Sequence, residues 1–250
     1  MPEISIKAEP LITALGIPIT NSLITSWLVV AFLIMFSYII FRSSKKEHNG
    51  KLSTLQAATE LIIETMLSFA ESIAGSRQKA EKFFPIVATV FLFVITANWI
   101  GILPGVGSIG VYETIEGKEL FIPLFRSVNS DLNMTLAIAL LIVTLTHIIG
   151  IASIGVGKHF GKFLNFKGPI SFFVGLLEGV SEFAKILSFS FRLFGNVFAG
   201  EVLLTIITFL TPYLIPIPFL GLEIFVGFIQ ALIFSVLSLM FLSASTEAHH

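Results

Sequence analysis

Cysteine is absent from the whole chain, which excludes disulfides, thiolate-ligated metals and cysteine nucleophiles. Charge is scarce as well. Only 12% of the residues are Asp, Glu, Lys or Arg, half of the ~25% found in a soluble domain. The net charge of −1 provides no broad basic face for a nucleic acid. The opening residues, MPEISIKAEP, lack the charged-then-apolar layout of a cleaved signal peptide, so the first apolar span is expected to be retained. No internal repeat of the kind common in secondary transporters is visible. Hydrophobic residues take the place of charge: they make up 55% of the 250 residues, 26 of them phenylalanine, and mean hydropathy is +0.94. This is the composition of a polytopic membrane protein.

Five segments are long enough to cross a hydrocarbon core of about 30 Å. They are 22–41, 85–103, 132–154, 170–211 and 219–245, within a single membrane domain 1–250 that begins with an outer segment 1–20. Pro85 fits a first helical turn, Pro104-Gly105 ends the second span, and Ser130 or Asp131 is placed to cap the third. The last two spans are unusual in having no proline over 170–211 or 219–245. As helices they would reach about 63 Å and about 40 Å, so they must tilt strongly or begin outside the core. Pro212, Pro216 and Pro218 in TPYLIPIPF break them into a hairpin. The fold class is therefore all-α: five membrane helices plus one amphipathic helix at 53–74. In that helix Ser53, Gln56, Glu60, Glu64 and Glu71 share one face, and the acids keep it at the interface.

Basic residues set the orientation. Arg42, Lys45, Lys46, Lys51, Arg77, Lys79 and Lys82 lie between spans one and two, and Lys158, Lys162 and Lys167 between spans three and four. Both loops are expected to face the cytoplasm. The loop from Pro104 to Asp131 has only Lys118 and Arg126 as bases and is expected outside, with the N-terminus outside and the C-terminus cytoplasmic.

Between Ile186 and Gly200 the only ionisable residue is Arg192. Arginine keeps its proton at any accessible pH, and within a bilayer it costs between about 2.5 and about 17 kcal/mol. Such a charge faces protein or an ion path rather than lipid. On a helix, Lys185, Ser188, Arg192 and Asn196 form one stripe, whereas Glu201, nine residues beyond Arg192, lies about 180° away. Glu223 and Gln230 share a face of the return helix, with Glu223 at the level of Glu201 and Gln230 nearer Arg192. Glu178 and Glu182 lie on the cytoplasmic side of Arg192. The geometry therefore places acids outside, acids inside, and one fixed cation between them.

The stretch RLFGN-x-x-AGE from Arg192 to Glu201, with LLEGVSEFAK before it and FIQALIF after it, closely resembles the a subunit of F-type ATP synthases. TANWIGILPG and SDLNMTLA extend the likeness over most of the chain from Phe84 onward. The resemblance implies a proton-conducting stator without a catalytic site, cofactor or metal. It would work against a c-subunit ring, held by peripheral stalk b subunits and the remaining synthase subunits, in a bacterial plasma membrane or an organellar energy-coupling membrane. Carried across by position, Arg192 resembles the family's essential arginine. Asn196 and Glu201 follow it as the family's asparagine and carboxylate do, and Glu223 occupies the outer-channel position. Gln230 corresponds to the glutamine near the arginine, and Glu178 and Ser188 fall on inner-channel positions. Asn98 and Asp131 are candidates for lining the outer route or for capping and packing.

Three readings compete. A stator should co-purify with small two-helix subunits. A secondary ion or solute transporter, binding an anion through Arg192, should show repeats and broken spans. A plain membrane anchor leaves the intramembrane charges unexplained. Lys185 reads as structural, His147 as a packing histidine on an apolar face, and His159 as a solvated loop residue.

Overall fold

A computed structural model describes residues 8–14, 16–44, 54–103, 105–115, 118–163 and 168–246. Lys45, Lys46, Lys51, Ser53, Pro104 and Lys167, named above, lie outside these residues. An antiparallel hairpin comes first, with β1 (Pro10–Ala14) paired to β2 (Ile17–Thr20). The Thr20 hydroxyl then accepts from Leu23 N at 3.3 Å and starts α1 (Asn21–Ser44). Helix α2 (Thr54–Ala74) ends at Gly75, whose φ of +74° is a left-handed turn suited to glycine. Ser76 caps α3 (Arg77–Ile102), its side chain accepting from Lys79 N.

This cap moves the second span. A helix beginning at Pro85 was expected from the sequence, but α3 begins at Arg77 and Pro85 is interior. The Ser76 cap nucleates helix before the proline, which removes only one main-chain bond from a turn already formed. A second hairpin follows, β3 (Gly110–Ile115) with β4 (Lys118–Pro123). A 3-10 turn at Val128–Ser130 leads into α4 (Leu132–Ile154). Between the two caps considered for α4, Asp131 serves, its carboxylate accepting from Asn133 N at 2.9 Å. The short α5 (Val156–Gly161) precedes α6 (Pro169–Leu210) and α7 (Pro216–Ser245).

The break between the last two helices is shorter than the sequence suggested. Pro212 lies in it, but Pro216 and Pro218 open α7 instead of preceding it, because a first-turn proline forfeits no helical bond. Among the described residues, α1, α3, α4, α6 and α7 are long and apolar enough to cross a membrane, and the chain is an integral multi-pass membrane protein. The two hairpins are small additions to an all-α body.

Three packing layers hold the bundle. Val90, Val94 and Ile95 of α3 meet Ala139 and Ile142 of α4, Phe189, Leu193 and Val197 of α6, and Ala231 and Phe234 of α7. The Phe189 and Phe234 rings pack edge-on at 4.6 Å. Toward the other end, Leu67 and Ala70 of α2 pack with Phe83 and Val87 of α3 and Leu239 and Leu242 of α7. Val29, Ala97 and Val128 tie α1 to the rest. Lipid is as apolar as leucine, so close packing and small residues such as Ala97, Ala139 and Ala231 drive helix association here. Buried hydroxyls bond their own helix, as Ser235 does to Ala231 O at 2.7 Å and Thr146 to Ile142 O at 2.9 Å. These bonds remove the penalty of an unpaired polar group in hydrocarbon.

Candidate functional site

Ser188, Arg192 and Asn196 stand exposed along α6, in the stripe that helical spacing sets. The Arg192 guanidinium donates to Ser188 Oγ at 3.3 Å. Lys185 turns away from it: its ammonium donates to Glu182 at 2.6 Å and lies 4.7 Å from the centre of the Phe241 ring. A cavity of about 250 Å³ opens beside Arg192, lined by Ser181, Lys185, Ser188 and Phe241 among others.

Glu201 looks elsewhere. Its Oε1 lies 3.6 Å from Nε of Arg126, a residue only 7% exposed. Arg126 sits after β4, where Nε also donates to Ser130 Oγ at 3.1 Å and its main-chain N–H donates to Thr25 Oγ1. The α3–α4 connection thus folds over the end of α6 and carries a buried cation to Glu201. A second cavity of about 210 Å³ lies beneath that connection, bordered by Asn98, Arg126, Thr205, Glu201 and Glu223.

Glu223 reaches this cavity from α7 because α6 offers no side chain against it. A Cβ on Gly200 would come within 2.5 Å of Glu223 Oε1. The outer oxygens Glu201 Oε2 and Glu223 Oε2 are both buried with no hydrogen-bond partner. Two carboxylate oxygens without protein donors beside a polar cavity are set up to take protons or bind water. From Glu223 a neck of about 10 Å³ continues along Asn98, Asn196 and Gln230, on the scale of one water.

Asn98 belongs to both spaces. Its amide donates to Gly227 O at 3.0 Å, and its oxygen accepts from Asn129 Nδ2 at 2.7 Å. Gly227 lets α3 approach closely, since a Cβ there would meet Asn98 Cβ at 3.2 Å. Asp131 is held differently, accepting from Ser22 Oγ at 2.6 Å while it caps α4. It stands apart from the residues bordering either cavity. Glu178 is half-buried toward the start of α6. Among the described residues, no three His, Asp or Glu side chains are arranged to hold a metal ion.

Residues 23–243 match the family described as ATP synthase A chain. The chain belongs to that family. The "ATP synthase subunit a" of Geotalea daltonii is 31% identical over 244 residues, covering 96% of this chain and 94% of that protein. "ATP synthase subunit a 3" and "ATP synthase subunit a 1" of Pelobacter propionicus are each 30% identical over 227 residues, covering 90% of this chain and 87% of theirs. Every candidate site residue, from Asn98 to Gln230, falls inside the segment that matches the A chain family.

Two features of the site escaped the sequence. Arg126 lies in a loop, where no helical period places a side chain; its one signal was a base in a connection otherwise poor in bases. His159 was expected in solvent but is 4% exposed, and its Nε2 lies 3.0 Å from Nδ1 of His147. Gly150 leaves room for that ring, since a Cβ there would meet His159 Nδ1 at 2.9 Å. The expectation failed because α5 folds back onto α4 at Gly155, whose φ is +84°.

Proposed function

We propose that this chain is the non-catalytic, proton-conducting stator subunit of a rotary ATP synthase, with two half-channels separated by Arg192. One observation carries the reading: an exposed arginine on α6 lines one cavity, and that cavity shares no lining residue with the cavity of Glu201 and Glu223. Membership of the ATP synthase A chain family supports the assignment to that complex, and with it the other synthase subunits as partners.

The mechanism follows from burial and charge. A ring carboxylate passing through lipid must be neutral, because burying its charge costs too much. Facing Arg192 it ionises, since a nearby cation favours the carboxylate. Protons enter through the cavity of Glu201 and Glu223 and pass the neck at Asn196 and Gln230 to the ring site. After a turn of the ring they leave through the cavity beside Ser188, toward Glu178. Arg192 keeps the two routes apart, because a proton would have to pass a permanent positive charge. The open face of α6, where Phe183, Leu187 and Phe191 are exposed beside Arg192, is the surface offered to the c-ring. Arg126 holds Glu201 in the outer route, Asn98 lines it, and Asp131 caps α4 beside Ser22. The b subunits of the peripheral stalk are assigned to the side of α2. The distribution of bases between the loops supports an N-terminus outside and a C-terminus in the cytoplasm.

Purification in mild detergent tests the assignment. The chain should come away with a ring of small two-helix subunits, and recovery of the intact chain without them from functional membranes would remove the stator reading.

A further inference from the structure

The inner cavity beside Arg192 ends at Lys185, whose ammonium holds Glu182 Oε1 at 2.6 Å. The other carboxylate oxygen, Glu182 Oε2, lies 3.9 Å from His147 Nε2. His147 Nδ1 in turn lies 3.0 Å from His159 Nε2. His159 belongs to the short helix α5, and its Nδ1 is buried against Gly150 of α4 with no hydrogen-bond partner. Four titratable groups from three helices thus run in file from the cavity wall to the loop side of the bundle. A pair of packing histidines would need neither the acid aimed at one ring nor the buried, unpartnered nitrogen on the other.

We propose that Glu182, His147 and His159 form a proton-release relay that carries protons from the inner cavity to cytoplasmic water. The proposal rests on the proton-conducting reading above. A proton taken up by Glu182 passes to His147 Nε2, and His147 gives its Nδ1 proton to His159 Nε2. His159 then gives its own Nδ1 proton to cytoplasmic water when its ring, buried at rest against Gly150, turns outward on α5, so one proton enters and one leaves. Each ring returns to its starting tautomer by rotation before the next transfer. The charged groups facing His159 are His147 from α4, Lys162 after α5, and Glu178 and Glu182 from α6. Burial first, then His147 and Lys162, hold His159 below the ordinary imidazole range, while the two acids oppose them. A proton that reaches it therefore leaves readily near neutral pH.

Inverted membrane vesicles, whose cytoplasmic face is outward, test the relay. His147→Gln and His159→Gln keep hydrogen-bonding capacity but do not titrate. ATP synthesis in either should fall on the order of tenfold, less than the roughly 10²–10⁴ of an acid–base group at a reacting centre, because the relay moves a proton between side chains and breaks no other bond. Free imidazole in the outer buffer should restore much of the rate, a recovery that a packing role would not give. Glu182→Gln provides the same rescue test if a histidine substitution lowers the amount of chain in the membrane. Wild-type rates in all three variants at every external pH would overturn the relay, as would slow variants that imidazole does not rescue. Arg192→Ala vesicles are assayed alongside. If they stay coupled, the separator reading and the relay fall together; if they lose coupling while the histidine variants are unaffected, only the relay falls.

Discussion

Two arginines within the apolar body take opposite positions. Arg126 is buried beside Glu201, and Arg192 stands exposed on α6. The first has a carboxylate within the chain, whereas among the described residues the second donates to the Ser188 hydroxyl and meets no carboxylate, which leaves its charge available to a group from outside. The acids Glu201 and Glu223 each keep one buried oxygen without a partner, so both are open to protons. Glu201→Gln and Glu223→Gln should each slow proton-driven ATP synthesis on the order of tenfold or more. Glu223→His should retain more activity, because imidazole also titrates near neutral pH. Synthesis rates in vesicles decide the point, and equal rates in wild type and both glutamine variants would refute the outer relay.

At the level of helices, periodicity carried a great deal. The stripe of Ser188, Arg192 and Asn196, and its separation from Glu201, followed from 3.6 residues per turn alone, because α6 runs unbroken from Pro169 to Leu210. What periodicity could not supply is any group brought in by a loop or a reversal. Arg126 arrives on the α3–α4 connection, and His159 arrives because the chain turns back at Gly155. The start of α3 was also misplaced, since Pro85 looked like a first-turn residue while the Ser76 cap acted earlier. The faces of α6 can be tested directly in this cysteine-free chain. Cysteine at Ser188 or Asn196 should crosslink on oxidation to cysteines beside the ring carboxylate, and cysteine at Glu201 should not. The reverse pattern would mean that the other face of α6 meets the rotor.

For the whole molecule, the account requires two polar routes opening on opposite sides of the membrane. Cysteine at Ser108, in the α3–α4 connection, should react with an impermeant thiol reagent from the outer side. Cysteine at Lys158 in α5 should react only from the cytoplasmic side. Labelling of both from one side would break the two-sided arrangement. The central claim is that Arg192 separates the routes with a charge that never leaves. Arg192→Lys should fail to support synthesis, because a lysine covered by the ring can lose its proton and presents a different contact. The most direct measurement is Arg192→Ala in vesicles with a pH-sensitive dye, with and without the catalytic head attached. The account predicts lost ATP synthesis and lost ATP-driven pumping, with passive proton leak through the membrane sector that persists or rises. Arg192→Ala vesicles that still couple ATP hydrolysis to proton pumping would contradict it.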